Sequence, residues 1–343
     1  MKLLKVISIS ILSLLSLGCK SSQGIDSENP QRENVIVAYV TSWSDVIPDP
    51  DYFTHLNYAF GHVNDSFDGI RIDNPERFKT MIKLKDLNPD LKVLLSIGGW
   101  GSGRFSEMAA SDSLRKSFAN ECNRLIEEYN FDGIDIDWEY PTIGVAGISS
   151  SPDDTENFTK LMSDIREAIS EDKLLTLASS ATARYIDFKS VVPFVDFVNL
   201  MTYDMSSGEA HHSPLFASSI TPEMTVDKSV NLHRAAGVPD EKIVLGLPFY
   251  GRGIQDGETY YLDFKDIKLK PGQRMEWDSI SQSQYIADSN GNFVFGFDNP
   301  GSLTIKCNYI LENNLKGAMY WDYNGDDSLK TLNKTIKMVL TGL

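Results

Sequence analysis

The sequence predicts an α/β fold, a closed (β/α)8 TIM barrel with a small α+β insertion between strands 7 and 8. Two observations support this prediction. Short apolar or β-branched runs recur eight times from residue 35 onward, and amphipathic segments of helix length separate them. Strands that alternate with helices form a parallel sheet, and eight of them close into a barrel. Polar, aromatic and glycine residues also concentrate where these runs end, which is where active sites lie in barrels of this kind.

The individual elements follow from the spacing of apolar residues along the chain. The short runs predict strands at residues 35–41, 55–60, 92–97, 133–138, 174–179, 197–202, 243–249 and 317–321. Apolar residues at helical spacing predict helices at residues 75–87, 113–129, 155–170, 229–236, 304–313 and 328–340. Strands and helices therefore alternate as a barrel requires.

One interval, residues 252–316, is longer than the other connections. Its latter part, from about Ser302, reads as the seventh barrel helix. Before it, the runs TYYLDF, MEWDS, QSQYIA and GNFVFGF resemble short strands, and an Asn-Gly pair between the last two is a hairpin signal. We therefore expect a small insertion, rich in β structure, at about residues 253–297, where it would deepen one wall of a cleft.

The first residues have the pattern of an export signal. Lys2 and Lys5 precede an apolar run over residues 6–17, which Gly18 and Cys19 follow. This run is too short to span a bilayer permanently. It resembles a bacterial lipoprotein signal, with residues 1–18 as signal peptide and Cys19 as the lipidated residue.

The polar segment 19–34 would then be a flexible tether. We expect an exported bacterial lipoprotein, on the outer membrane or the cell surface. Without lipidation the protein would be secreted.

Composition excludes several classes of partner. The formal net charge is -16, with 48 acidic residues against 32 basic ones. Nucleic acid and anionic membrane surfaces are therefore unsuitable partners, and we expect membrane contact only through the lipid anchor. We expect a monomer. Cys122 and Cys307 lie in helical patterns, which predicts buried free thiols.

The stretch FDGIDIDWEYP has the clearest chemical signal in the chain. In a strand, side chains alternate between faces, so Asp135, Asp137 and Glu139 share one face. Carboxylates crowded in this way cannot all ionise at low cost, so at least one should have a raised pKa and keep its proton near neutral pH.

A solvated strand face and a divalent-metal site are the alternative interpretations. A solvated face usually mixes other polar residues with acids. An Asp-x-Asp metal loop needs oxygen ligands and a Gly at fixed offsets, where this chain has Ile and Trp instead.

Five motifs, SIGGW, FDGIDIDWEYP, MTYD, GLPFYGR and a Trp closing the last strand, resemble glycoside hydrolase family 18, the chitinase family, in the family's order. The pattern D-G-x-D-x-D-x-E is filled by Asp132, Gly133, Asp135, Asp137 and Glu139. The segment before the last strand resembles the α+β insertion of chitinases with long clefts, although it is shorter than theirs.

The resemblance implies a retaining, substrate-assisted mechanism, in which the substrate's own 2-acetamido oxygen is the nucleophile. Glu139 would be the general acid and then the general base. Asp137 would turn toward the acetamido group, and Asp135 would lie beneath it with Ser96 and Tyr39 as hydrogen-bond partners. No cofactor and no metal are implied.

The resemblance also implies the remaining site residues. Tyr203 and Asp204 of MTYD would reach the acetamido oxygen and sugar hydroxyls. Trp321 would form the floor under the distorted sugar, and Phe60 and Met201 would complete an apolar pocket. The other residues assigned to substrate binding are Gly99, Trp100, Tyr140 and Arg252.

Several of these residues have a structural alternative. Trp43, Trp100, Tyr140, Tyr250 and Trp277 are candidate sugar platforms, yet each could equally be a core residue. Gly98 and Gly99 could serve only to let the chain approach closely after the third strand. Arg252 could pair with acids on the rim instead of substrate, and His211 and His212 are expected to pack in a loop.

The leading functional interpretation is hydrolysis of β-1,4-linked N-acetylglucosamine polymers or oligomers by a chitinase. Within the same family, an endo-β-N-acetylglucosaminidase acting on N-glycan cores would use the same acid. A non-hydrolytic, lectin-like glycan-binding protein is the alternative from another class, although such proteins usually lack the acid that Glu139 supplies here. A metal-dependent hydrolase is the remaining alternative.

Overall fold

The computed structural model describes residues 34–343. The predicted signal peptide, the lipidation site at Cys19 and most of the predicted tether lie outside the described residues. Of the helices in the described part, none is long and apolar enough to cross a membrane. Cys122 and Cys307 are buried free thiols, as predicted.

The described chain contains fourteen strands and eight α-helices. The strands are β1 (Val35–Thr41), β2 (His55–Val63), β3 (Ile70–Ile72), β4 (Lys92–Gly98), β5 (Gly133–Asp137), β6 (Leu174–Ser180), β7 (Phe197–Met201), β8 (Ile243–Pro248), β9 (Tyr250–Gln255), β10 (Glu258–Asp263), β11 (Arg274–Asp278), β12 (Ser283–Ala287), β13 (Phe293–Phe297) and β14 (Gly317–Trp321). The helices are α1 (Pro75–Ile82), α2 (Phe105–Ala110), α3 (Asp112–Tyr129), α4 (Asp154–Ala168), α5 (Phe188–Val191), α6 (Val226–Ala236), α7 (Pro300–Glu312) and α8 (Thr331–Thr341).

Eight parallel strands form the barrel, which confirms the predicted fold class. Their order is β1-β14-β8-β7-β6-β5-β4-β2, and a pairing between β1 and β2 closes the ring. The additional strand β3 pairs antiparallel with the extended end of β2. The predicted boundaries agree with the observed ones to within a few residues, because each strand ends where its apolar run ends.

The barrel strands separate two apolar cores. Alternate residues face outward and pack under the helices, as Ile134 and Ile136 of β5 do. The inward-facing residues form a smaller core that includes Val37, Met319 and the ring of Tyr39. The alternation places Asp135 and Asp137 on the inner side, as the sequence predicted.

Capping residues explain why two helices begin earlier than predicted. Asn299 and Ser302 form a reciprocal capping box, with Pro300 in the first turn, so α7 begins at Pro300. The Thr225 side chain accepts a hydrogen bond from the Lys228 amide, and α6 accordingly begins at Val226.

The insertion is an antiparallel sheet of five strands in the order β10-β9-β13-β12-β11. It begins at Tyr250 rather than near Gly253, because β9 follows the barrel strand β8 almost without interruption. Between Tyr250 and Phe297 its helical component is limited to the 3-10 turn Phe264–Asp266. The predicted hairpin is present, since the Asp288 amide donates to the Asn292 carbonyl between β12 and β13.

Candidate active site

A cleft of about 740 Å³ opens at the carboxyl ends of the barrel strands. Most of the residues that the sequence assigned to the site line this cleft: Tyr39, Phe60, Trp100, Asp137, Glu139, Tyr140, Met201, Tyr203, Asp204, Arg252 and Trp321. They come from distant parts of the chain, and barrel closure brings them together. The cleft size suits a ligand of several rings.

Asp135 is the middle residue of β5 and is fully buried beneath the cleft. Its carboxylate accepts hydrogen bonds from four side chains: Tyr39 Oη at 2.8 Å, Ser96 Oγ at 2.8 Å, Thr176 Oγ1 at 2.6 Å and Asn199 Nδ2 at 3.2 Å. Burial raises the pKa of Asp135, and these donors act in the opposite direction. The structure thus places Ser96 and Tyr39 where the sequence expected them, although Ser96 does not line the cleft.

Asp137 is the next inward-facing residue of β5, and its side chain is almost completely buried. Its Oδ1 has no hydrogen-bond partner in the structure. Burial raises the pKa of Asp137 well above its ordinary value, and the negative charges of Glu139 and Asp135 raise it further. An ionised Asp137 is therefore more favourable while Glu139 keeps its proton and carries no charge.

Glu139 follows the end of β5 and faces into the cleft. Burial raises its pKa from the ordinary 4.5 to about 7; the Tyr140 hydroxyl acts to lower it, and the charge of Asp204 adds to the rise. A carboxyl group with such a pKa is protonated in a large fraction of molecules at neutral pH. It can therefore donate a proton to a ligand and later accept one.

Asp204 follows β7 and carries a negative charge into the cleft. Tyr250 Oη donates to its Oδ1 at 2.6 Å, Arg252 Nε lies 2.9 Å from the same oxygen, and His212 Nδ1 lies 3.6 Å from it. Burial alone would raise the pKa of Asp204, but His212, Arg252 and Tyr250 together lower it. Arg252 thus lines the cleft and also pairs with a rim acid.

Aromatic rings form the floor of the cleft. The Trp321 ring stacks on Phe60, with ring centroids 5.7 Å apart and an interplanar angle of 19°, and its other neighbours are Tyr39 and Trp43. The Tyr203 hydroxyl lies 3.9 Å from Met319 Sδ, and burial raises the pKa of Tyr203 well above its ordinary value. Tyr203 therefore stays neutral and can donate a hydrogen bond into the cleft.

Gly99 does not line the cleft, although it was assigned to substrate binding. Its φ is +91°, and a Cβ atom there would lie 2.6 Å from Phe60. Its amide donates to the Asp137 carbonyl oxygen at 2.8 Å. The glycine therefore makes room for the aromatic floor and holds β5, which is the structural alternative that the sequence left open.

The candidate sugar platforms differ in where they lie. Trp43 and Trp100 line the cleft with 65% of their surface exposed. Tyr140 and Tyr250 also line it, with Tyr140 stacked on Tyr185 at 5.2 Å. Trp277 is on β11, at the far edge of the insertion sheet, and is not a cleft residue.

Sequence reasoning missed several contributors to the site. Thr176 and Asn199 were not singled out, because one polar residue on a strand predicts nothing unless its partner is known. Tyr185 belongs to the uninformative run after the fifth barrel strand. His211 packs between Tyr285 and Phe293, as its loop-packing prediction requires, but His212 also reaches Asp204.

Comparisons with known proteins agree with this geometry. Chitinase A1 of Niallia circulans is 35% identical over 303 residues, which are 74% of this chain and 43% of that protein. This chain therefore spans less than half the length of that relative. The solved structure of a glycoside hydrolase family 18 N-acetylglucosaminidase from Paenibacillus barengoltzii has a TM-score of 0.82 at 34% identity, covering 89% of this chain and 99% of that one.

The solved structure of the Ostrinia furnacalis group IV chitinase has a TM-score of 0.80 at 30% identity and covers 90% of this chain and 99% of that chain. The family model described as Glycosyl hydrolases family 18 matches residues 35–326, which contain the entire cleft and the row of carboxyl groups on β5. By its fold, its motifs and these matches, the chain belongs to glycosyl hydrolases family 18.

Proposed function

We propose that this protein is a chitinase, which hydrolyses β-1,4-linked N-acetylglucosamine oligomers or polymers by a retaining, substrate-assisted mechanism. The observation that carries the proposal is Glu139, a cleft-facing carboxyl group whose pKa is raised to about 7 at the end of the buried acidic row. The names of the relatives support the choice of substrate.

In the first step, Glu139 donates its proton to the glycosidic oxygen. The substrate's 2-acetamido oxygen attacks the anomeric carbon, the bond to the leaving oxygen breaks, and a bicyclic oxazolinium ion forms. In its ionised form, which a protonated Glu139 favours, Asp137 would accept a hydrogen bond from the acetamido N–H at its free Oδ1 and compensate the positive charge that develops there.

In the second step, the ionised Glu139 takes a proton from water as that water attacks the anomeric carbon. The bond to the acetamido oxygen breaks, the acetamido group is restored, and the product keeps the configuration of the substrate.

Two neighbours would orient the sugar. Tyr203, kept neutral, would donate a hydrogen bond to the acetamido oxygen. Asp204, kept ionised by His212, Arg252 and Tyr250, would accept hydrogen bonds from sugar hydroxyls. Trp321 would offer its apolar face to the C–H groups of the pyranose ring.

The test uses two kinds of substrate and one stereochemical measurement. We expect release of fluorophore from a chitobioside or chitotrioside and no release of glycan from a denatured glycoprotein; the reverse would assign an endo-β-N-acetylglucosaminidase. Proton NMR at the first turnover should show the β-anomer of the product. Binding of oligomers without any hydrolysis would assign the lectin-like alternative and overturn the proposal.

A second candidate is an N-acetylglucosaminidase that releases monomers. It is favoured by the relative from Paenibacillus barengoltzii, whose solved chain this protein matches over 99% of its length. The product profile on chitohexaose separates the two candidates, since a chitinase should release mainly disaccharide or longer products. Unimpaired turnover after exhaustive chelation would exclude a metal-dependent hydrolase.

We also infer that the protein is exported, lipidated at Cys19 and monomeric. The motif at residues 1–19 supports the first two points. Incorporation of a labelled fatty acid by the parent protein and not by a Cys19→Ala variant is the expected result. A parent protein that incorporates no label would contradict lipidation. Sedimentation of residues 34–343 at twice their monomer mass would contradict the monomeric state.

A further inference from the structure

The strand β10 is attached to the barrel at both of its ends. Near its start, Thr259 Oγ1 donates to the Ser207 carbonyl oxygen at 2.7 Å, in the loop that follows β7. At its end, Asp263 accepts from Asn324 Nδ2 at 3.4 Å, in the loop that follows β14. The strand therefore spans the gap between two barrel loops as a fixed support.

Tyr261 stands midway between these two attachments and shares their face of the strand. Because side chains alternate along a strand, Thr259, Tyr261 and Asp263 point to the same side. In the antiparallel register, Tyr261 lies directly opposite Arg252 of β9, and side chains that are paired in this way share a face of the sheet. Since Arg252 lines the cleft, Tyr261 faces the cleft side as well.

The ring of Tyr261 is exposed rather than used for packing. Its relative exposure is 68%. One edge contacts Tyr250, at 6.5 Å between ring centroids and an interplanar angle of 78°, and Tyr250 in turn donates to Asp204. The apolar core of the insertion, built on Ile286, Phe295 and Phe297, does not include it. A large ring left in water beside the cleft offers apolar surface to a ligand.

We propose that Tyr261 is a carbohydrate-binding platform that holds one N-acetylglucosamine unit of a long chain, beyond the units held in the cleft itself. This inference rests on the proposed function for the identity of the ligand. The C–H face of a pyranose would cover the exposed ring, and because β10 is held at both ends, the ordering cost on binding would be smaller than for a ring on a free loop. The insertion would therefore influence which substrate chain lengths the enzyme prefers, and it would not affect the chemical step.

The experiment compares Tyr261→Ala with the parent protein on a fluorogenic chitobioside and on chitohexaose. We expect kcat/KM on chitohexaose to fall about tenfold, which corresponds to roughly 1.4 kcal/mol for the lost aromatic contact. The chitobioside is too short to reach the platform, so its hydrolysis should be unchanged. Tyr261→Trp should retain activity on the hexamer, since it keeps an aromatic face.

Trp277→Ala is the matched control, because Trp277 is an exposed aromatic residue on the opposite edge strand of the same sheet. It should change neither substrate's turnover. Equal effects of Tyr261→Ala on both substrates, or no effect on either, would overturn the platform.

A second readout separates this inference from the proposed function. In a Glu139→Gln background, chitohexaose binding measured by calorimetry should weaken about tenfold when Tyr261 is also replaced by Ala. Chitobiose binding should not change. If the parent hydrolyses no N-acetylglucosaminide, the proposed function fails; the platform fails if the two oligomers lose affinity equally or not at all.

Discussion

Asp135 and Asp137, two inward-facing carboxyl groups of β5, show how one strand face can serve two purposes. Asp135 accepts hydrogen bonds from Tyr39, Ser96, Thr176 and Asn199. Toward the cleft, Asp137 keeps an oxygen without a partner. Both residues are buried, so the difference lies in their partners and not in access to water. A carboxyl group surrounded by donors is a fixed anchor, whereas one with a free oxygen is available to a ligand.

Glu139 extends this comparison to the open cleft. Its pKa rises to about 7 through burial and the charge of Asp204, and Asp204 is kept ionised by its neighbours His212, Arg252 and Tyr250. Within five residues of sequence, Asp135 is held by donors, Asp137 has an oxygen available to a ligand, and Glu139 can donate a proton. A substitution at each of these three residues should remove one of these properties.

The largest effect is expected for Glu139→Gln, which removes the proton donor but keeps the shape of the side chain. We expect kcat on a fluorogenic chitobioside to fall about a thousandfold, in the range for loss of a general acid. Glu312→Gln, an exposed substitution on α7, is the control and should leave kcat unchanged. A Glu139→Gln variant with parental kcat would remove the acid assignment.

Asp137→Asn should have the next largest effect. The amide retains the size of the carboxyl group but cannot compensate the positive charge on the acetamido group, so we expect kcat to fall about a hundredfold. The loss should appear in kcat more than in KM, because the charge develops only in the transition state. A loss confined to KM would mean that Asp137 binds the ground state instead.

Stability should respond in the opposite direction to activity at Glu139. Because its folded pKa lies above its ordinary 4.5, it contributes stability that is fully present below pH 4.5 and is lost as the pH rises through about 7. Glu139→Gln lacks that loss. At about pH 9 it should therefore be more stable than the parent, by roughly 3 kcal/mol in urea unfolding. Equal pH dependence in both proteins would contradict the raised pKa.

Asp135→Asn should cost stability at all pH values where the parent is ionised. An amide NH2 would face donors that now point at a carboxylate, so we expect a loss of roughly 1–3 kcal/mol in the free energy of unfolding. Asp137→Asn should lower the free energy of unfolding by less, because its new NH2 group would not face a hydrogen-bond donor. The reverse order of the two losses would contradict the anchor role.

The smallest effect is expected for Ser96→Ala, which removes one of the four donors to Asp135. We expect a loss of about 1 kcal/mol in the free energy of unfolding. Ser170→Ala is the matched control, because Ser170 donates a similar bond to Asp172 on the surface, where water replaces it. Equal losses in the two variants would show that burial adds nothing to this bond.

Most of the barrel could be predicted from the sequence because its strands are buried on both sides and read as continuous apolar runs. The elements that were missed are short or lie at the surface: β3 with three residues, α2 and α5. Strand β9 was hidden because PFYGR continues the run of the barrel strand before it. Its pairing with β10 and β13 depends on residues far along the chain.

Site residues that belong to a local sequence motif could be predicted. Residues whose role depends on a contact with a distant part of the chain could not. Alternation alone placed Asp135 and Asp137 on one face. The donors Thr176 and Asn199, and the contact of His212 with Asp204, depend on which strands become neighbours in the closed barrel. No local pattern contains that information.

The most direct test is the titration of Glu139 itself. Carbon NMR of the protein labelled at glutamate carboxyl carbons, with Glu139→Gln used to assign the signal, would measure the pH at which this group ionises in the free enzyme. We expect a midpoint near the value of about 7 that burial imposes, with kcat/KM falling as the pH rises through the same range. A midpoint at the ordinary 4.5 would contradict it.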